Sequence, residues 1–542
     1  MSERPQPLKA VNRLFEGKEP WQIVTMTASS VLAIVWAHSL YNARESLPTR
    51  LRKEFFRWLR QVPIVRRKID EKMAEINSDF RKDVTKRLAG VTVRRELPET
   101  GLNPEQVIEE PLNQTCRQVR NYLKKEVTRR WLSLLVTVSS YSICVFYIIV
   151  ILTQHCTYLG AYDWQGGNVS GAVYHVSQEI NKVACEAYSL SAYTNPLHSD
   201  VFPGINKMEA EIVRMAINLF HGDDECCGTV TTGGTESIIM ACKAFRDLAY
   251  SKGISNPQII VPSTVHTAFD KAAQYLGLSV KTIPVNQDTM TVDVDKVRRA
   301  IGRRTCLVTI IFAVCYLTLQ GNVLLIKSSL FQYGFAPKGT SVVLYRKAEY
   351  RHHQYTVTTE WPGGVYGSPS VNGSRAGGLI TACWATMMFV GKTRYVQMTD
   401  EIIRTARYIE NEVRKITGLF VFGKPATSVV AFGSKQFDIF KISELLHKKG
   451  WSLNALQFPS GIHICVTHAH TQPGVADRFL TDMRDAAKTC LKDSSAPVEG
   501  KMAIYGVAQE ISDRSLVSDI TKYFIDSMYY LPENGEHIMN IY

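Results

Sequence analysis

The feature that most constrains the fold is a glycine-rich turn between a predicted strand and a predicted helix. Residues 228–237 read Gly-Thr-Val-Thr-Thr-Gly-Gly-Thr-Glu-Ser, and apolar residues at helical spacing follow over 237–250. Such a turn can bind a phosphate, because glycines let backbone amides approach it and a helix N-terminus carries partial positive charge. An ordinary glycine turn with a capping threonine is the alternative.

Strand and helix patterns alternate beyond this turn. Strands that alternate with helices favour an α/β domain with a mostly parallel sheet and right-handed crossovers. The predicted strands are 259–262, 280–285 and 306–314, and the predicted helices are 266–276 and 294–301. A helix over 400–416 followed by short strands is typical of a smaller α+β domain.

Two apolar segments lie before the α/β region. Residues 21–41 contain no charge and are followed by a dense basic run that carries much of the net charge of +13. Their length predicts a transmembrane anchor, and the basic run places the following residues in the cytoplasm and a tail, 1–20, in the lumen. A segment lying on the membrane surface is the alternative. We assign the basic, largely helical region 42–127 to the membrane surface and expect no nucleic-acid partner.

The second apolar segment, 131–152, is also uncharged and long enough to span a bilayer. If it did span, it would carry the following domain out of the cytoplasm, against the indication of the first segment. We therefore expect it to pack on the protein or on the membrane surface. The twelve cysteines show no regular spacing and indicate reduced thiols. We expect no metal at His463, His468 and His470, read as alternating strand positions without a carboxylate nearby.

Four segments that are weak signals alone form a specific set when taken together. His266 begins a predicted helix and could stack on a flat cofactor, and the segments around Asn195 and Ser374 are polar clusters among turn residues. The set comprises 195–204, 228–237, 265–271 and 333–340, the last reading Tyr-Gly-Phe-Ala-Pro-Lys-Gly-Thr. In this order the segments resemble the sphingosine-1-phosphate lyase family, one of the fold-type I pyridoxal phosphate enzymes that include the glutamate decarboxylase group.

The resemblance covers nearly the whole chain and implies its organisation. It implies a pyridoxal phosphate-binding large domain at 161–394, a smaller C-terminal domain at 395–542 and a homodimer. It also implies a single-pass protein of the endoplasmic reticulum membrane whose catalytic body faces the cytosol. The family reaction is a retro-aldol cleavage of a phosphorylated sphingoid base, which breaks the C2–C3 bond and yields a long-chain aldehyde and phosphoethanolamine.

Site residues follow from the same resemblance. Gly234 and Thr235 resemble the cradle for the cofactor phosphate, and His266 the residue stacked on the pyridine ring. Ser374 resembles a contact to the cofactor phosphate of the neighbouring subunit. Four further residues resemble the family's residues near the substrate phosphate and the reacting carbons: Tyr174, Asn195, His198 and Lys338.

The chain departs from the family in two places. Gln332 stands where the family has the lysine that forms the Schiff base, and the strand with the aspartate that protonates the ring nitrogen is missing. Residues 309–332 therefore look like the site of a deletion, while 128–160 look like an apolar insertion. An amide nitrogen is not nucleophilic, so the alternative function is a catalytically inactive splice form or pseudoenzyme that pairs with intact subunits.

Overall fold

The structure is a computed structural model of the chain. It describes residues 17, 19–41, 51–52, 55–56, 58–87, 162–311, 315–320, 323–328, 333–495, 497–498, 509 and 511–531. The apparent insertion 128–160, its apolar run 131–152 and Gln332 lie outside the described residues. The domain boundaries stay predictions.

The helices and strands of the described residues are as follows. The helices are α1 Pro20–Tyr41, α2 Pro63–Arg87, α3 Gln178–Ser191, α4 Pro203–Leu219, α5 Gly234–Ser251, α6 Ala268–Leu276, α7 Val294–Ala300, α8 Ala348–His352, α9 Gly377–Val413, α10 Ile439–Lys448, α11 Val475–Lys492 and α12 Arg514–Ser527. The strands are β1 Cys227–Thr231, β2 Gln258–Pro262, β3 Ser279–Ile283, β4 Thr305–Ile311, β5 Cys315–Gln320, β6 Val323–Ser328, β7 Ser341–Tyr345, β8 Thr356–Thr358, β9 Tyr366–Ser368, β10 Phe420–Val421, β11 Val429–Gly433, β12 Asn454–Leu456 and β13 Gly461–Cys465.

The large sheet has seven strands in the order β1-β7-β6-β5-β4-β2-β3. The α/β class is confirmed, and each strand and helix predicted between 237 and 311 is present. The prediction of a mostly parallel sheet is wrong, because among the described strands only β2 pairs in parallel, with β3 and β4. The other four pairings are antiparallel.

Short connections explain two of the antiparallel pairings, β4 with β5 and β5 with β6. Only residues 312–314 separate β4 from β5, and only 321–322 separate β5 from β6. A parallel connection needs a crossover of a dozen or more residues, so these strands can only form a hairpin. Strands β1, β2, β3, β4 and β6 consequently run in one direction, while β5 and β7 run in the other.

Helices cover both faces of this sheet. Every residue of β7 is buried, and its side chains alternate between two apolar cores. Val343 and Tyr345 pack with residues of α5 and α6 on one face, and Val342 and Leu344 pack with residues of α4 and α9 on the other. Burial on both faces is expected for a strand at the centre of an α/β sheet.

A second sheet follows in the C-terminal part. It has four antiparallel strands in the order β10-β11-β13-β12, and α10, α11 and the second half of α9 pack against it. Helix α9 is interrupted at Gly391, where φ is 65° and ψ is 167°. The smaller α+β unit expected after the large sheet is therefore present.

The N-terminal residues form a compact unit of their own, Met1–Ser78 together with Asp513–Tyr523. In this unit, the guanidinium of Arg60 contacts the carboxylates of Asp513 and Asp519 at 2.9 and 3.0 Å. Residues 21–41 are helical as expected, but they include several Ser and Thr residues. Within the part of the chain that the structure describes, no helix is both long and apolar enough to cross a membrane. The transmembrane anchor predicted at 21–41 is therefore not supported.

Candidate active site

The glycine-rich turn joins β1 to α5 at one edge of the large sheet. Gly233 is the N-cap of α5, and the first helical bond runs from the Ser237 amide to the Gly233 carbonyl at 3.0 Å. The amides of Gly234 and Thr235 precede that bond and have no acceptor within the helix, as in the first turn of any α-helix. A Cβ built on Gly233 would meet no atom within 4 Å. Open space beside free helix amides fits a phosphate.

The carboxylate of Glu236 holds this turn in place. Its Oε2 accepts hydrogen bonds from the Thr232 amide at 2.6 Å and from the Thr232 hydroxyl at 2.7 Å. The hydroxyls of Thr231 and Ser237 share a bond of 2.6 Å, and Ser237 Oγ donates to Ser341 Oγ at 3.1 Å. These bonds tie the turn to β7.

A loop that contains Ser374 is docked beside the turn, and we call residues 369–377 the serine loop. The Val371 amide donates to Glu236 Oε1 at 2.9 Å, and the Arg375 amide donates to Asn195 Oδ1 at 3.1 Å. The Arg375 guanidinium also pairs with the carboxylate of Glu209, and both side chains are mostly buried. The structure thus brings Asn195 and the serine loop together next to the phosphate cradle.

The segment after position 332 reaches the same place. A small cavity of about 30 Å³ lies between the turn, the serine loop and Gly339, and Thr232, Glu236 and Arg375 line it. The octapeptide 333–340 therefore ends beside the glycine turn.

Four aromatic side chains, which we call the aromatic clamp, hold the beginning of that octapeptide: Tyr174, His175, Tyr395 and His468. The Tyr395 hydroxyl donates to the Gly334 carbonyl at 2.7 Å, and His175 Nε2 lies 3.0 Å from the Phe335 carbonyl. The ring centroid of Tyr174 lies 5.3 Å from that of Tyr333. The Tyr333 hydroxyl donates to the Val466 carbonyl at 3.0 Å.

Phe335 has an unusual backbone conformation inside the clamp. Its φ is +57°, which is uncommon for a bulky residue, and its side chain is 1% exposed. The rings of His175, Tyr395 and His468 surround it at centroid distances of 5.5 to 6.1 Å. A residue stays in such a conformation only when its surroundings hold it there, and such residues cluster at functional sites.

Burial determines the protonation of the clamp. Burial lowers the pKa of His175, and its Nδ1 accepts the Ser177 amide at 3.3 Å, so the neutral ring carries its proton on Nε2 and donates to Phe335. Burial also raises the pKa of both Tyr333 and Tyr395. His175 and Tyr395 are therefore neutral hydrogen-bond donors near pH 7.

The other predicted site residues are more exposed. His266 follows β2, and its Nδ1 accepts the Ala268 amide at 3.0 Å at the start of α6. His198 and Lys338 are exposed, and among the described residues no hydrogen bond or ion pair joins either side chain to the glycine turn. Because β1 and β2 run in the same direction, Thr231 and His266 lie on the same side of the sheet, at the carboxyl ends of these two strands.

The three histidines near the C-terminal sheet do not alternate along one strand. His463 lies on β13, whereas His468 and His470 lie in a 3-10 helix, His468–Thr471, so the predicted strand positions are wrong for those two. Among the residues that the structure describes, no group of three or more His, Cys, Asp or Glu side chains could hold a metal ion.

Three site residues were missed from sequence. Glu236 is the third residue of α5 and follows a Gly N-cap, a position at which an acidic side chain often caps a helix, so a signal for it existed. His175 and Tyr395 carried no comparable signal, because each acts on a segment distant in the chain.

Comparisons with known proteins agree with this geometry. Residues 207–324 match the DegT/DnrJ/EryC1/StrS aminotransferase family. Glutamate decarboxylase from Lactobacillus brevis has the same fold, with a TM-score of 0.54 and 16% identity over 75% of this chain and 96% of that chain. The large domain thus has the fold of the fold-type I pyridoxal phosphate enzymes.

Closer relatives define the family. The chain is 45% identical to a sphingosine-1-phosphate lyase of Drosophila melanogaster, over 97% of this chain and 97% of that protein. The solved sphingosine-1-phosphate lyase of Burkholderia pseudomallei matches with a TM-score of 0.62 and 32% identity, over 75% of this chain and 95% of that chain. The chain belongs to the sphingosine-1-phosphate lyase family, which confirms the resemblance seen in the sequence.

Proposed function

We propose that this chain carries the cofactor and substrate sites of a pyridoxal phosphate-dependent lyase that cleaves phosphorylated sphingoid bases to a long-chain aldehyde and phosphoethanolamine. The observation that carries the proposal is the docking of the serine loop on the glycine turn through Glu236, next to the aromatic clamp. The relatives named above are lyases of sphingosine 1-phosphate.

The residues of the site have separable roles. The amides of Gly234 and Thr235 would hold the cofactor phosphate, Ser374 would add a hydroxyl contact across a homodimer interface, and the His266 ring would cover the pyridine ring. Pyridoxal phosphate, when bound, supplies an electron sink for the electrons of the C2–C3 bond.

Substrate contacts lie on neighbouring segments. Asn195, His198 and Lys338 would bind the substrate, and Lys338, Tyr174 and His198 would lie near the reacting carbons. In Asn195, the Oδ1 atom already accepts the amides of Leu197 and Arg375, which leaves the side-chain amide group to donate. The aromatic clamp orients the chain that leaves position 332.

Gln332 favours a second candidate, a catalytically silent subunit that binds the cofactor without a covalent bond and pairs with intact subunits. Incubation of the purified chain with pyridoxal phosphate, followed by borohydride, separates the two candidates. The lyase function requires cofactor fixed to a lysine, such as Lys327 or Lys338, and aldehyde released from sphingosine phosphate. The silent function requires bound cofactor that dialysis removes after borohydride treatment, and no aldehyde.

A variant in which the longer family segment replaces 309–332 is the positive control for this experiment. It should both fix the cofactor and release aldehyde. If this variant folds and binds pyridoxal phosphate but cleaves nothing, the proposed lyase site is wrong.

We further propose that the protein associates with the endoplasmic reticulum membrane through its N-terminal region, with the α/β body in the cytosol, and that it forms a homodimer. Exposed apolar side chains on α1, including Trp21 and Val24, and the basic residues that follow support the membrane association. Sugar attached in cells to Asn372, an exposed residue of an Asn-Gly-Ser sequence, would contradict the cytosolic location. Co-expression of two tagged copies and affinity capture tests the dimer, and recovery of monomer alone would contradict it.

A further inference from the structure

We propose that Glu236 is a positioning residue whose carboxylate couples the glycine turn to the serine loop, so that both phosphate-contacting segments keep one relative position. This inference rests on the proposed function and extends it. Both carboxylate oxygens of Glu236 are bonded within the protein, so we assign the residue no contact with the substrate. It acts through Thr232 on one side and Val371 on the other.

The two carboxylate oxygens of Glu236 bind two different segments of the chain. Oε2 accepts both hydrogen bonds from Thr232, and Oε1 accepts the amide of Val371, a residue 135 positions away in the chain. The side chain is 8% exposed, so water competes little for either oxygen. Hydrogen bonds to an ionised acceptor are shorter and stronger than neutral ones, and these lie between 2.6 and 2.9 Å.

Helix capping alone does not explain this arrangement. An acidic residue in the first turn often caps its own helix and interacts favourably with the helix dipole, and that role needs only the bonds to Thr232. The bond to Val371 adds nothing to the helix. It fixes a distant loop whose other end is held by Asn195 Oδ1 and by the ion pair between Arg375 and Glu209.

The two ends of the serine loop are therefore held by two different segments. Ser374 lies between them, next to the Arg375 amide that Asn195 accepts. Loss of the Glu236 attachment would loosen the Val371 end, which keeps the hydrogen bond from Gln354 Nε2 to the Pro369 carbonyl, while the Arg375 end stays docked. Ser374 would then occupy a range of positions at the proposed dimer interface, where it would contact the cofactor phosphate of the neighbouring subunit.

Substitution by glutamine provides a sharp test, because a glutamine side chain has one acceptor oxygen where glutamate has two. In Glu236→Gln, the single side-chain oxygen can accept either the bonds from Thr232 or the bond from Val371. The NH2 group of the glutamine then faces the other backbone N–H and cannot accept it. Glu236→Ala loses both attachments. Glu349→Gln is the matched control, since Glu349 is an exposed acidic residue in the first turn of α8.

The first measurement is amide hydrogen exchange in the full chain without ligand. In Glu236→Ala, exchange at Val371 and Thr232 should accelerate about 10-fold or more, the scale of one hydrogen bond to a charged acceptor. In Glu236→Gln only one of the two amides should accelerate. Exchange in the core strand β7 should stay at the wild-type rate, and Glu349→Gln should match wild type throughout.

The second measurement is the affinity for pyridoxal phosphate, with inorganic phosphate as a competitor. The Kd of Glu236→Ala for pyridoxal phosphate should rise about 10-fold, the scale of one hydrogen bond to a charged acceptor. The rate of amide exchange in β7 should stay unchanged. Uniform acceleration across the domain would instead show a purely structural role and would overturn the proposal. So would unchanged exchange at Val371 in Glu236→Ala.

Failure of the proposed function gives a different pattern. If the wild-type chain binds no pyridoxal phosphate, the proposed function is wrong, while the exchange data still decide whether Glu236 couples the two segments. If wild type and Glu236→Ala bind the cofactor equally although Val371 exchanges faster, the coupling has no bearing on the phosphate site and the inference is wrong.

Discussion

Replacement of Gly377 by alanine should release the serine loop from the segment that carries Asn195. Gly377 begins α9, and its amide donates to the Thr194 carbonyl at 3.0 Å. A Cβ at this position would lie 2.0 Å from Thr194 Oγ1 and 2.8 Å from the Thr194 carbonyl oxygen. Both distances are shorter than carbon–oxygen contacts allow, so one of the two segments must move.

The size of the effect follows from opposing contributions. Alanine is favoured over glycine in a helix by about 1 kcal/mol, which would stabilise the variant. Overpacking of a closely fitted contact costs about 1–3 kcal/mol, and loss of the bond to the Thr194 carbonyl costs about 1 kcal/mol more. Thr194 cannot simply rotate away, because its hydroxyl donates to the Ser191 carbonyl at 2.7 Å. We expect Gly377→Ala to lower the free energy of unfolding by about 1–3 kcal/mol.

Chemical denaturation of the full chain measures this change, and Gly204→Ala is the matched control. Gly204 also lies in the first turn of a helix, α4, but a Cβ there would meet no atom within 4 Å. The control should therefore be neutral or more stable by up to about 1 kcal/mol. If Gly377→Ala unfolds at the same or a higher denaturant concentration than wild type, the close contact between these segments is not as described.

Three further predictions concern chemistry and stability. Gln332→Lys alone should at most restore covalent attachment of the cofactor, with little aldehyde release, because the aspartate partner of the ring nitrogen is still missing. The prediction is wrong if this variant releases as much aldehyde as the variant in which the family segment replaces 309–332. Tyr395→Phe should lower the free energy of unfolding by about 1 kcal/mol, since the half-buried Gly334 carbonyl loses its donor while the ring packing remains, and an unchanged denaturation midpoint would refute it. Burial lowers the pKa of His470 from 6.5 to about 4, so between these values the unfolded chain binds a proton that the folded chain does not. Stability should therefore fall as the pH drops from 6.5 to 4, by about 3 kcal/mol in total, and His470→Asn should show a shallower loss in parallel pH titrations of unfolding.

Local patterns predicted the glycine turn and its flanking elements well, because strand, turn and helix are adjacent in the chain. The hairpin of β5 and β6 was missed, although Gly321 and Asn322 separate two apolar runs and such a pair is a strong signal for a two-residue hairpin.

The aromatic clamp shows what sequence patterns do not contain. Tyr395 is 61 residues from the carbonyl it binds, and His175 is 160 residues from its own partner. Their roles depend on how α9 and the segment before α3 meet the octapeptide, which is a property of the packed fold. The helix at 21–41 is the opposite case, because local pattern predicts the segment, while its several Ser and Thr residues reduce its apolar character.

The hairpin of β5 and β6 also decides on which side of the sheet β6 ends, four residues before Gln332. Each antiparallel strand reverses the direction of the chain. After two such strands, β6 ends on the side of the sheet where β4 ends, and the glycine turn after β1 lies on that side too. With one or three strands in place of two, the last strand would end at the opposite ends of the strands, about one strand length or 17–20 Å away. The hairpin adds two strand spacings, about 10 Å, between β4 and β7. Strands β4, β6 and β1 therefore all end on the side of the sheet where the glycine turn lies.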